Sequence, residues 1–145
     1  MVYICCKPFE YMSTLHAQLT MQAYERLVTF IERSGFPALV SRLPAGNLDA
    51  MQLSEVFKEA IRTEFEHNLS QQIYVSEGAW QAICDMKDQQ LFILTQLSQT
   101  LPANAYGNDL NNAIQDFLQA DTNASIQPLV LDVVKNEAKK VLSNL

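Results

Sequence analysis

Four glycines among 145 residues are too few and too scattered for a phosphate-cradling loop, and neither G-x-G-x-x-G nor G-x-x-x-x-G-K-[ST] occurs. Nucleotide binding of those kinds has no support. Positive charge is also thin: 10 Lys and Arg stand against 16 Asp and Glu, a formal charge of −6, and no basic run offers a footprint for a phosphate backbone. Nucleic acid is therefore not an expected partner. Long apolar runs are missing as well, since no stretch of about 18 apolar residues occurs to span a membrane. Met1 to Cys6 is apolar, but it is too short for the hydrophobic region of a secretory signal and has no basic start. Three cysteines cannot all pair within one chain, and a disulfide between the adjacent Cys5 and Cys6 would be strained and unusual. Reduced thiols and a cytoplasmic location are the expectation.

What is present is apolar and patterned. Hydrophobic residues make up 48% of the chain, too many for a disordered segment. A chain of this length suits one domain that hides roughly 70% of its unfolded surface. The pattern centres on a helical hairpin. In its first arm Leu53, Val56, Phe57, Ala60, Ile61, Phe65 and Leu69 recur at steps of three and four, along one helix face. Trp80, Ile83, Cys84, Lys87, Leu91, Leu94, Leu97 and Leu101 repeat the pattern in the second arm. Between the arms, Asn68, Ser70, Gln71 and Gln72 interrupt the apolar face, and Ser76 is placed to cap the second helix. A connection this short makes the arms antiparallel neighbours, with Phe65, Leu69, Ile73, Trp80 and Ile83 expected to pack at the closed end.

The remaining segments cover this hairpin. Residues 1–12 read as an irregular leader, because Pro8 blocks a helix through it, and residues 13–145 read as the single domain. A first helix from Ser13 or Thr14 carries Leu15, Leu19, Tyr24, Leu27, Val28 and Ile31 inward and is expected to end at a left-handed Gly35. Pro37 to Leu43 gives one or two helical turns acting as a lid on the core, before a loop at Pro44 to Asn47. A shorter helix after Asn108 or Asp109 buries Leu110, Ala113, Ile114, Phe117 and Leu118. Ser125 caps the last helix, which tolerates Pro128 in its first turn and presents Ile126, Leu129, Val130, Val133, Val134, Val141 and Leu142. The expected fold is all-α: a single-domain bundle of four longer helices with one or two short ones.

Chemical constellations are sparse. Glu64 and His67 form a Glu-x-x-His step, the spacing used by di-iron bundles, but those need it from two helices together with further carboxylates. It occurs once here, and the only other histidine is His16. A local surface pair is the simpler reading, and a carboxylate and histidine metal site of Glu64, His67 and Glu25 is the alternative. Cys5 and Cys6 lack the second pair that a tetrahedral site needs, and Cys84 falls on an apolar stripe with no basic partner to activate it. Ser70 and Ser76 lack a base and an orienting acid, so capping explains them. The polar group Glu64, Asn68, Gln71, Gln72 and Tyr74 reads first as a hydrogen-bonded network fixing the angle between the arms, and second as a contact surface for a partner.

Two stretches carry a resemblance: Met21-Gln-Ala-Tyr-Glu-Arg-Leu-Val-Thr-Phe-Ile-Glu-Arg33 and Glu64-Phe-Glu-His-Asn-Leu-Ser-Gln-Gln-Ile-Tyr-Val-Ser-Glu-Gly-Ala-Trp80. On these, over most of Thr20 to Leu145, the chain resembles a family of uncharacterised bacterial all-helical proteins. The resemblance implies no reaction and no catalytic residues. It does imply that relatives often place a membrane helix before the equivalent of Leu19 to Tyr24, with the helical domain in the cytoplasm. This chain departs there, because Met1 to Ser13 holds Pro8 and the cysteine pair instead. Attachment at the cytoplasmic face of the inner membrane is expected only if an upstream segment exists.

These features lead to a non-enzymatic protein interaction or scaffold module without a cofactor, acting on an unknown protein partner or on itself. A binding face is expected at Asn68 to Tyr74 or at the Tyr24-Glu25-Arg26 segment. The alternatives are the metal site above and a small-molecule pocket around Trp80 and Tyr24.

Overall fold

Six α-helices account for most of the chain: α1 (Lys7–Ser34), α2 (Phe36–Arg42), α3 (Ala50–Glu66), α4 (Glu77–Thr100), α5 (Gly107–Ala120) and α6 (Gln127–Ser143). A 3-10 turn, Leu69–Ile73, joins α3 to α4. The computed structural model describes residues 7–144, with side-chain surroundings from residue 13 onward. The expected Cys5 and Cys6 lie outside the described residues, as does most of the apolar start. The fold is all-α, with no strand among the described residues.

Helix α4 is the shared wall. Its first half meets α1 and α6 in one apolar cluster of Leu27, Phe30, Ile31, Ile83, Met86 and Val134, among others. Its second half meets α2, α3 and α5 in another, built on Phe36, Leu53, Phe57, Ile61, Leu94 and Leu110. At the border sits Gln90, fully buried. Its Nε2 donates to Ser34 O at 2.8 Å, which satisfies a carbonyl that the end of α1 leaves open.

Two more carbonyls at that helix end are met from other elements. Arg42 Nη2 on α2 donates to Arg33 O at 2.8 Å, and Gln127 Nε2 on α6 donates to Ile31 O at 3.1 Å. Ile31 O also accepts from Gly35 N at 3.2 Å. Gly35 itself corrects the sequence expectation: its backbone is extended, with φ −64 and ψ 151, rather than left-handed. A Cβ there would run into the Gln127 amide, so that side chain would have to move off Ile31 O. The left-handed position is Gly46, with φ 52.

Helix α1 begins at Lys7, earlier than the expected Ser13 or Thr14. Pro8 falls in the first turn, where its missing N–H costs no intrahelical bond. The starts of α3 and α5 are tied together. Ala50 N donates to Ala105 O at 3.0 Å, and Gly107 N donates to Leu48 O at 2.9 Å. Asp49 Oδ1 caps α3 by accepting from Gln52 N at 2.8 Å. Asp109 Oδ2 accepts from Tyr106 N at 2.8 Å, so α5 starts slightly before the expected Asn108 or Asp109. Leu15, Val56, Leu129, Val133 and Leu142, expected inward, are exposed. Each sits on the flank of its helix, beyond the narrower stripe that neighbours cover.

Candidate functional site

The elbow between α3 and α4 gathers most of the polar residues marked in the sequence. Helix α3 ends after Glu66, and its open carbonyls need donors. Asn68 Nδ2 donates to Glu64 O at 2.7 Å, and Arg26 Nη2 reaches across from α1 to His67 O at 2.7 Å. Gln72 Nε2 donates to Leu69 O at 2.9 Å. On the other side of the turn, Ser76 Oγ accepts from Ala79 N at 3.1 Å, the cap expected at the start of α4. Ser76 N in turn donates to the hydroxyl of Tyr24 at 3.0 Å. Tyr24 and Arg26, two residues apart on α1, thus hold both ends of the elbow.

Charged groups reinforce this bracing. Arg33 Nε meets Glu64 Oε1 at 2.8 Å, tying α1 to the last turns of α3. On α6, the hydrogen bond from Lys140 holds the Glu137 carboxyl below the usual carboxylate range, helped by the lysine's charge and by Ser76, while burial opposes the shift. Behind the elbow, Phe65 stacks on Trp80 with centroids 5.4 Å apart. Lys87 Nζ lies 4.6 Å from the Phe65 centroid, and Phe30 meets Phe65 edge-on at 6.2 Å.

The expected closed-end packing holds for Phe65, Trp80 and Ile83 and fails for two residues. Leu69 is 41% exposed and Ile73 is 73% exposed. In a 3-10 turn side chains repeat every three residues rather than every 3.6, so the apolar stripe of α3 loses phase and swings outward. Asn68 and Gln71 take the buried positions instead, with Gln71 Nε2 donating to Ser70 Oγ at 3.2 Å. Gln72 is exposed and Tyr74 half-buried.

A model of DUF7935, a family of unknown function, matches residues 10–141. The chain belongs to that family. No curated protein and no solved structure matches it. The DUF7935 match takes in the elbow and runs from α1 into α6, but it assigns no reaction to any residue named above.

Within this DUF7935 chain, the Glu64, His67 and Glu25 set does not converge. Glu64 is taken by Arg33, His67 contributes its backbone carbonyl to the brace, and Glu25 is exposed on α1. Among the described residues, no three His, Cys, Asp or Glu side chains group to hold a metal ion. Cys84 is a free, half-buried thiol. Burial pushes its pKa up, more than the nearby Lys87 pulls it down, the opposite of the shift that activates a thiol.

Among the described residues, three of the surface concavities bear on the residues named above. One of about 390 Å³ lies between α2 and α5, against Phe36, Val40, Ile114 and Leu118. Another of about 530 Å³ follows the outer face of α3 over Val56 and Ala60. The third, about 650 Å³, sits beside the elbow and is lined by Gln72, Glu77, Gly78, Trp80 and Gln81. Tyr24 does not line it; its hydroxyl accepts from Ser76 N instead. The outward Leu69 and Ile73 and this third concavity are what the sequence reading missed. The exposed pair carried no signal, because a 3-10 turn and the end of an α-helix look alike in composition.

Proposed function

We propose that this DUF7935 domain is a non-enzymatic interaction module whose docking face is the elbow between α3 and α4. One observation carries the reading: the elbow backbone is braced from α1 by Tyr24 and Arg26 while Leu69 and Ile73 are held outward. A fixed turn presenting apolar side chains loses little conformational freedom when a partner covers it. The alternative uses of the same residues are weakened by their engagements, since Glu64 and Asn68 are occupied in holding helices together. The free thiol of Cys84 agrees with work in the cytoplasm. None of the described helices is long and apolar enough to cross a membrane.

The test is site-specific cross-linking in the native cell. A photoreactive residue at Gln72 is expected to trap a defined partner, or a second copy of the chain, and Ile73→Asp is expected to abolish the product. The same products from a probe at Asn112 on α5, or products indifferent to Ile73→Asp, remove the reading. Sedimentation velocity on the purified chain separates a second copy from a different partner.

A further inference from the structure

The third concavity adjoins the exposed elbow, and its chemistry points to one kind of occupant. Gln72 and Gln81 both line it, and both of their amide nitrogens are already used. Gln72 Nε2 donates to Leu69 O at 2.9 Å, and Gln81 Nε2 donates to Asp85 Oδ1 at 2.8 Å. Their carbonyl oxygens accept no hydrogen bond among the described residues. Glu77 adds a carboxylate with no ion-pair partner among the described residues. Its full negative charge outweighs the roughly half positive charge that the start of a helix presents. The chain as a whole carries −6.

The remaining lining is an aromatic ring and an opening. Trp80 has one face on Phe65 and is only half-buried. The stack that it belongs to already holds one cation, Lys87 over Phe65. Gly78 has nothing within 4 Å of where a Cβ would stand, so packing does not require a glycine there, and its lack of a side chain keeps the approach to the concavity open. Oxygen acceptors, a carboxylate and an indole together suit a planar, multiply donating cation, which stacks on rings and donates to several oxygens at once.

We propose that the concavity beside the elbow takes the guanidinium of an arginine from the protein partner, whose neighbouring apolar residue packs on Ile73. This rests on the elbow being the docking face. It fixes what the partner must carry: an arginine next to an apolar side chain, on a segment extended enough to reach both Ile73 and Trp80.

The chain's single tryptophan makes the test direct, because the only indole N–H resonance reports on the site. Titration of the full chain with n-butylguanidinium is expected to shift that resonance saturably, while the neutral isostere n-butylurea binds at least about fivefold more weakly. Glu77→Gln is expected to weaken the guanidinium probe by about threefold to fivefold. Gly78→Leu, which has room to fold, is expected to abolish binding. Equal responses to the two probes, an unsaturable shift, or full binding by Glu77→Gln overturns the proposal. The two readings fail separately: cross-linking from Gln72 that Ile73→Asp abolishes, but that Glu77→Gln and Gly78→Leu leave intact, keeps the docking face and removes the arginine.

Discussion

Tyr24 has the clearest single role. Its hydroxyl accepts from Ser76 N across a separation of 52 residues. Tyr24→Phe leaves that amide without a partner in a part-buried place, and a loss of about 1–2 kcal/mol is expected. Urea unfolding should show it as a lower midpoint at an unchanged slope. Cys84 is expected to behave as an inert thiol. In a background with Cys5 and Cys6 replaced by serine, its alkylation rate should still be climbing at the ordinary cysteine value of 9.0, because burial raises its pKa above that point. A plateau below that value would show an activated thiol instead. The exposed Glu55 carboxyl is lowered by its hydrogen bond to Lys58. A depressed carboxyl contributes stability that is complete above its unfolded value and fades as pH falls through the folded one. The contribution of this pair should therefore be constant near neutrality and decline below the ordinary glutamate value of 4.5. Lys58→Gln should make the acid limb slightly shallower, since the Glu55 end of the pair is exposed even though Lys58 is largely buried.

At the level of elements, glycine is used in two opposite ways. Gly35 is packed against the flexible end of Gln127, so Gly35→Ala should push that amide off Ile31 O and cost about 1 kcal/mol for the lost hydrogen bond, and in a Gln127→Ala background it should cost little. Gly78 is open, so Gly78→Ala should stabilise by about 0.5 kcal/mol through helix propensity alone. Thermal unfolding of the two variants should move in opposite directions. The same contrast shows how far the elements were legible from sequence. The hairpin arms and the Ser76 cap could be read because they are local signals with a fixed period. The inner residues Ala79, Met86, Gln90 and Ile93 of α4 were missed because neighbours cover that helix on more than one side, which blurs a single stripe. The roles of Tyr24 and Arg26 had no local trace, as their bonds span 52 and 41 residues. Gly35 read as a left-handed stop because its position after a helix gives no hint that an amide from α6 lies against it.

For the whole molecule, the shared α4 contributes to both apolar clusters and is expected to couple them into one cooperative unit. Phe57→Ala in one cluster and Phe30→Ala in the other should each cost about 3–5 kcal/mol. In both variants Trp80 fluorescence and far-ultraviolet circular dichroism should report a single coincident transition. Two separate transitions would show that α4 joins the clusters without coupling them. The arrangement also sets an order of birth on the ribosome. The residues that build the cluster around Phe57 lie within residues 36–118, whereas the buried face of α1 is closed partly by Val130 and Val134 of α6, which follows all of them in the chain. During synthesis the cluster around Phe57 is expected to close first, with α1 completing its packing only once α6 has emerged. On a chain arrested once α5 has cleared the exit tunnel, a protease should cut within α1 while leaving α3 whole.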